Sequence, residues 1–92
     1  MRRRAAERPI AALRNLGPKS ALMLAEVGVR TVEELKRLGA ARAYVRVKAL
    51  RPKSASLNLL WAMAAGLEDR DWRTLTPEEK NGLLAESGDL RR

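Results

Sequence analysis

The sequence predicts an all-α fold, a small domain of five helices. Apolar residues recur at spacings of three and four, and no stretch alternates as a half-buried strand would. Thr31 with Glu34, and Thr76 with Glu79, have the spacing of a capping box, in which a hydroxyl and a carboxylate each accept the other residue's backbone N–H. The pairs Gly17-Pro18 and Thr76-Pro77 put proline where a helix can begin, because its missing N–H is needed nowhere in the first turn.

The elements follow in order. Residues 1–8 read as a disordered basic arm. Pro9 starts a short helix with Ile10 and Leu13 facing inward. Asn15-Leu16-Gly17 is a tight turn, since Asn and Gly best tolerate positive φ. The helix opened by Pro18 carries Ala21, Leu24 and Ala25 on one face, and Gly28 suits the position just past its end. Val29 anchors the connection. Thr31 caps the next helix, with Val32, Leu35 and Leu38 inward and Gly39 closing it.

Residues 39–51 form a helix in which Ala40, Ala43, Val47 and Leu50 share a face, with Tyr44 half-buried. Pro52 ends it. Lys53 to Ser56 is a loop, and Ser56 is a favourable N-cap for residues 57–67. That stretch is apolar almost all round, so it is the buried helix of the bundle, with Trp61 in the core. Residues 68–71 are a charged loop that positions Trp72 on the outside of the bundle. The last helix carries Leu83 and Leu84 and fades after Gly88, leaving 89–92 as a tail. The single domain therefore spans residues 9–88.

Composition narrows the function. The 92 residues suffice for one core, and 46% apolar with 33% charged residues is a folded balance. The chain has no Cys and no His. No disulfide framework, Cys-based metal site or Ser-His or Cys-His pair can be built from it. Carboxylates are not clustered and no Gly-rich nucleotide loop occurs, so neither enzyme activity nor a metal or cofactor is expected. No apolar run approaches the roughly 20 residues that span a bilayer, and no secretory signal is recognisable, which points to a cytoplasmic protein without membrane partners.

The net charge of +8 is uneven. Residues 1–53 hold 14 Lys and Arg against 4 Asp and Glu, whereas residues 54–92 hold 5 against 7. A one-sided basic surface follows, suited to an anionic partner such as DNA. Its focus is the Asn15-Leu16-Gly17 turn. Backbone N–H groups converge where a turn opens into a helix, and the helix dipole favours an anion there. Lys19 in that first turn opposes the dipole, so it serves an anionic ligand better than it serves the helix. Arg42 and Arg46, four apart on a later helix, repel one another yet are spaced to hold phosphate oxygens. The candidate nucleic-acid-binding residues are Arg14, Asn15, Leu16, Gly17, Lys19, Ser20, Arg42 and Arg46. The plainer alternatives are a helix-helix corner at the turn and a solvated face at the arginines.

The turn resembles a helix-hairpin-helix motif, which grips nucleic-acid phosphates without reading bases. Leu16, Gly17 and Lys19 match that pattern, and Asn15 stands where its first Gly is usual. The wider series resembles the C-terminal domain of the TfoX/Sxy family. It comprises Leu16-Gly17-Pro18-Lys19-Ser20, Val27-Gly28-Val29 with Thr31, Leu38-Gly39-Ala40, Ala43-Tyr44, Ser56-Leu57-Asn58-Leu59-Leu60-Trp61-Ala62 and Asp71-Trp72-Arg73. The resemblance covers roughly residues 10–85. It implies a small helical regulatory domain related to bacterial competence for DNA uptake, where family members act with a cAMP-responsive transcription factor. Family proteins carry a further domain ahead of this one, so the chain looks like a standalone copy.

Two functions are therefore expected as alternatives. One is a non-enzymatic regulatory module that associates with DNA through sequence-independent, salt-sensitive phosphate contacts. The other is a protein-interaction module that docks on a transcription factor or on itself. A homodimer would join apolar helix surface and keep the basic faces apart.

Overall fold

The computed structural model describes residues 8–90, so the expected arm over residues 1–8 lies, except for Arg8, outside the described residues. Five α-helices make the domain: α1 Pro18–Glu26, α2 Val32–Leu38, α3 Ala40–Leu50, α4 Leu57–Leu67 and α5 Pro77–Leu90. Two single 3₁₀ turns precede α1 and α5, at Ile10–Ala12 and Trp72–Thr74. Among the described residues there is no strand; the only extended pairing is one antiparallel bridge between Pro9 and Thr31.

Local chemistry sets most boundaries. At the end of α1, Gly28 takes φ 87°, its N–H donates to the Ala25 carbonyl and the Val29 N–H donates to the Leu24 carbonyl. This is a Schellman closure, and Val29, buried, pins it to the core. Both capping boxes form. The Glu34 N–H donates to Thr31 Oγ1 at 3.1 Å while Glu34 Oε1 accepts the Thr31 N–H at 3.1 Å. The same reciprocal pair joins Thr76 and Glu79 at 2.8 and 3.1 Å. At the end of α4 a second Schellman closure uses Asp69 at φ 56°, with the Arg70 N–H donating to the Ala65 carbonyl.

The core is aliphatic. Helix α3 packs against α1, α2, α4 and α5, and α4 buries Leu59, Leu60, Trp61, Ala62, Met63 and Ala65. Trp61 is 7% exposed, as the sequence predicts, and the Lys80 ammonium lies 5.5 Å from its ring centroid. Ile10 and Leu13 are buried and fold the start of the chain onto this core. Arg8 is tied in as well. Its N–H donates to Glu33 Oε1 at 2.8 Å and its carbonyl accepts the Val32 N–H.

Several details differ from the sequence reading. Tyr44 is 4% exposed rather than half-buried, and it lies on α3, which four other helices contact. Leu50 is exposed, since the last turn of α3 lies outside the core and turns to α1 through Arg51 and Glu26. Ser56 occupies the N-cap position of α4 without a side-chain bond to it. Helix α5 does not fade at Gly88 but continues to Leu90, as a single glycine weakens a helix by only about 1 kcal/mol. The short first helix is one 3₁₀ turn of three residues, so the segment before the Asn15 turn is not an α-helix.

Candidate nucleic-acid interface

The turn at Asn15 to Gly17 is held from behind. Asn15 has φ 76°, the left-handed conformation that Asn tolerates better than other side-chain-bearing residues. Its Nδ2 donates to the Arg70 carbonyl at 2.7 Å and, at a longer 3.5 Å, to the Ala62 carbonyl. The carboxamide therefore points into the protein, toward α4 and the loop after it. Leu16 is buried beneath the turn. Gly17 departs from the expectation of a left-handed glycine. It is extended, at φ −124° and ψ −170°, and a β-carbon there would meet nothing within 4 Å. The positive φ of the turn belongs to Asn15 alone.

Sequence reading missed the residue that lets the turn sit so close. Gly66, buried in α4, faces Arg14 so tightly that a β-carbon on it would lie 2.5 Å from the Arg14 carbonyl oxygen. It would also meet Leu13 at 3.2 Å. The signal was a glycine inside an otherwise apolar helix, where glycine costs stability and so marks a close approach. Arg14 is exposed, and its Nη1 donates to the Asp69 carbonyl at 3.1 Å. It is thus joined to the α4 end and not free at the turn.

The N-terminus of α1 differs from those of α2 and α5. Those two carry Glu33 with Glu34 and Glu78 with Glu79 in their first turns, and both are closed by capping boxes. Helix α1 has Pro18 at its start, no acidic residue in its first turn and no side-chain cap. Its first N–H groups, which no helix can satisfy internally, are left to an outside acceptor. Lys19 is exposed beside them and Ser20 is half-buried. Asn15, Lys19, Ser20, Ser54, Ser56 and Asn58 line one polar recess of about 370 Å³ there, floored by Leu59 and Ala62.

The charges divide as the sequence asymmetry suggests. Among the described residues of the second half the arginines are matched: Arg70 bonds Glu68 at 2.9 Å and Glu79 at 2.7 Å, and Arg73 bonds Asp71 at 2.8 Å. The Arg70 guanidinium, with the Thr76 N–H, holds the Glu79 carboxyl down at about 2. The Arg73 guanidinium holds the Asp71 carboxyl well below the usual carboxylate range. In the first half Arg51 pairs with Glu26 and Arg8 with Glu33. Among the described residues Lys19, Arg37, Arg42 and Arg46 have no ion-pair partner. The structure does not bring all the candidate cations together. Arg46 lies beside the Gly28-Val29 turn with Arg37, and Arg42, exposed one turn earlier on α3, lines neither recess. Among the described residues no group of three or more His, Cys, Asp or Glu can hold a metal ion. No described helix is long and apolar enough to cross a membrane.

Comparison with known proteins agrees with this architecture. A crystal structure of an uncharacterized protein from Listeria monocytogenes, in a triclinic form, superposes with a TM-score of 0.78 at 24% identity. The match covers 90% of this chain and 93% of that one. A crystal structure of a protein of unknown function from the same organism, in a tetragonal form, gives 0.77 at 25% identity over 88% and 99% of the two chains. No curated protein matches the chain. The model of the TfoX C-terminal domain matches residues 6–87, which hold the turn, the capping boxes and the buried α4. The chain belongs to the TfoX C-terminal domain family.

Proposed function

We propose that this TfoX-like regulatory module acts without catalysis, by associating with DNA through backbone phosphates at the N-terminus of α1. One observation carries the reading. The first turn of α1 carries no acidic residue and no side-chain cap, so its N-terminal field is uncompensated, and Lys19 is exposed there beside the Asn15 turn. A phosphate oxygen there would accept from main-chain N–H groups and from the Lys19 ammonium. The inward hydrogen bond of Asn15 leaves the approach clear. Such contacts read no bases, so binding is weakly specific and falls steeply with salt.

The test is a fluorescence-anisotropy titration of a labelled DNA duplex of arbitrary sequence at 50 and 200 mM salt. Lys19→Ala should reduce the slope of log affinity against log salt by about 0.9, the share of one phosphate contact. Lys19→Glu should weaken binding further and equally on unrelated sequences. An unchanged slope in Lys19→Ala would remove the site.

A second reading, docking on a transcription factor or on a second copy, is favoured by Leu22, which is 70% exposed on α1. With Met23 and Ala25 it floors a groove of about 490 Å³ between Lys19 and Arg51. Light scattering of Leu22→Glu against the wild type tests the self-associating form: a fall to monomer supports it, and a wild type already monomeric at high concentration removes it.

A further inference from the structure

The charges of α1 run against its own dipole. Lys19 stands in its first turn and Glu26 is its last residue. Helix α2 has the opposite order, with Glu33 and Glu34 in its first turn and Lys36 and Arg37 in its last. A helix favours anions at its N-terminus and cations at its C-terminus, so α2 is arranged for itself and α1 is not. A second helix laid antiparallel beside α1 removes the conflict. It brings its C-terminal end to Lys19 and its N-terminal end to Glu26, so each charge lies beside the helix end that favours it.

The face on which such a helix would lie is open and apolar at its centre. Lys19, Leu22, Met23 and Glu26 follow the i, i+3, i+4, i+7 spacing of one helix face, and all four line the groove of about 490 Å³ that they share with Arg51 and Ser54. Leu22 is 70% exposed there, more than any other large apolar side chain among the described residues. Lys19 has no ion-pair partner among the described residues. Glu26 is bonded by Arg51 through both carboxylate oxygens, which keeps its carboxyl below the ordinary range. Each of those oxygens has a lone pair left for a third group.

We infer that a second copy of this chain lays its own α1 antiparallel on this face, with Leu22 of each copy against Met23 of the other and Lys19 of each against Glu26 of the other. A pair centred between residues 22 and 23 sets residue 19 opposite residue 26 and residue 22 opposite residue 23, so one two-fold axis matches both charges and both apolar side chains. The occupant is a copy of the chain because a face that carries a cation, an apolar pair and an anion in that order is its own complement when reversed. Nine residues make α1 about 13 Å long at roughly 1.5 Å per residue. A helix of that length spans less than the roughly 800 Å² per partner of a standard stable interface, so the dimer is weak and depends on concentration. In it Lys19 faces a carboxylate, so a second copy and a phosphate compete for the same ammonium. The inference rests on the self-association reading above and deepens it by naming the partner surface and the register.

The experiment is sedimentation equilibrium of the full chain from about 10 μM to about 1 mM, the range that so small a face calls for. The wild type should pass from monomer to dimer across that range, and Leu22→Glu should stay monomeric. Lys19→Glu and Glu26→Lys, each alone, should weaken the dimer about tenfold or more, because the two-fold axis turns two attractions into two repulsions. Mixed one to one, these two variants should dimerise with each other to within about threefold of the wild type, since every contact between positions 19 and 26 again joins opposite charges. Thermal melting of each variant runs alongside; Lys19, Leu22 and Glu26 are all exposed, so each variant should remain folded. If the wild type dimerises and Leu22→Glu does not, while the mixture is no tighter than its components, the antiparallel register is wrong and self-association at Leu22 stands. A Leu22→Glu chain that dimerises as the wild type does overturns both. A wild type that is monomeric throughout also overturns both and leaves the groove to a partner of another kind.

Discussion

Replacing Gly66 by alanine tests whether the Asn15 turn is held by close contact with α4. The added methyl would lie 2.5 Å from the Arg14 carbonyl oxygen, well inside ordinary van der Waals contact, and 3.2 Å from the Leu13 side chain. The obstacle is backbone, so no rotamer change can relieve it; either the turn moves out or α4 bends. Overpacking costs about 1–3 kcal/mol, and a clash with backbone at this distance falls in the upper part of that range, about 2–3 kcal/mol. Alanine also returns up to about 1 kcal/mol, because it favours a helix more than glycine does. The net loss is about 1–2 kcal/mol, which lowers the melting temperature of a domain of this size by roughly 4–16 °C. Circular dichroism at 222 nm during heating and urea titration gives both numbers. A variant as stable as the wild type, or more stable, would mean that helix propensity dominates and that the turn yields freely. The account of how α4 positions the turn would then be wrong.

Three further substitutions probe the same frame. Asn15→Ala loses the bond to the Arg70 carbonyl and puts a less tolerant residue at φ 76°, for a cost of about 1–2 kcal/mol by urea denaturation, whereas Asn15→Gly should recover the conformational share. Gly17→Ala should stay within about 0.5 kcal/mol of the wild type, because Gly17 is extended and has open space at its β position. A loss near 2 kcal/mol would contradict the observed backbone. Glu79 has a folded pKa depressed from 4.5 to about 2, so the stability it contributes is present above about pH 5 and is lost as the pH falls toward 2. Melting temperatures measured between pH 7 and pH 2 should therefore drop less in Glu79→Gln than in the wild type; parallel curves would show that the Arg70 pair contributes nothing.

Local signals carried far in this sequence, and non-local ones did not. The two capping boxes, Pro18 and the Gly28 closure form as their spacing requires, because each is decided by residues within one turn of it. The apolar run of α4 was equally plain, since it has no polar face to present to water. Tyr44 was misjudged because α3 is packed by four other helices, among them α5, which arrives more than thirty residues later in the chain and whose packing no local pattern announces. Gly17 was misjudged because a glycine in a turn reads as left-handed, while here Asn15 takes that role and leaves Gly17 extended. At the candidate site, Lys19 and the turn were legible, and their inward support was not. The bond from Asn15 to the Arg70 carbonyl and the clearance at Gly66 each join positions about fifty residues apart. The grouping of Arg46 with Arg37, across two helices, was hidden for the same reason, as spacing along α3 alone pairs Arg46 with Arg42.

The central claim is that the folded domain, and not the basic residues ahead of it, holds phosphate. Arg2, Arg3 and Arg4 supply a competing source of attraction for any polyanion. Residues 8–92, made without residues 1–7, separate the two, since Arg8 is the first described residue and is bonded into the fold. Affinity for a labelled DNA duplex is measured across 50–200 mM salt for this shortened chain, with and without Lys19→Glu. The account predicts that the shortened chain still binds, with a smaller salt slope than the full chain, and that Lys19→Glu weakens it on every sequence tried. A shortened chain that no longer binds, with Lys19→Glu in the full chain binding as well as the wild type, would contradict it.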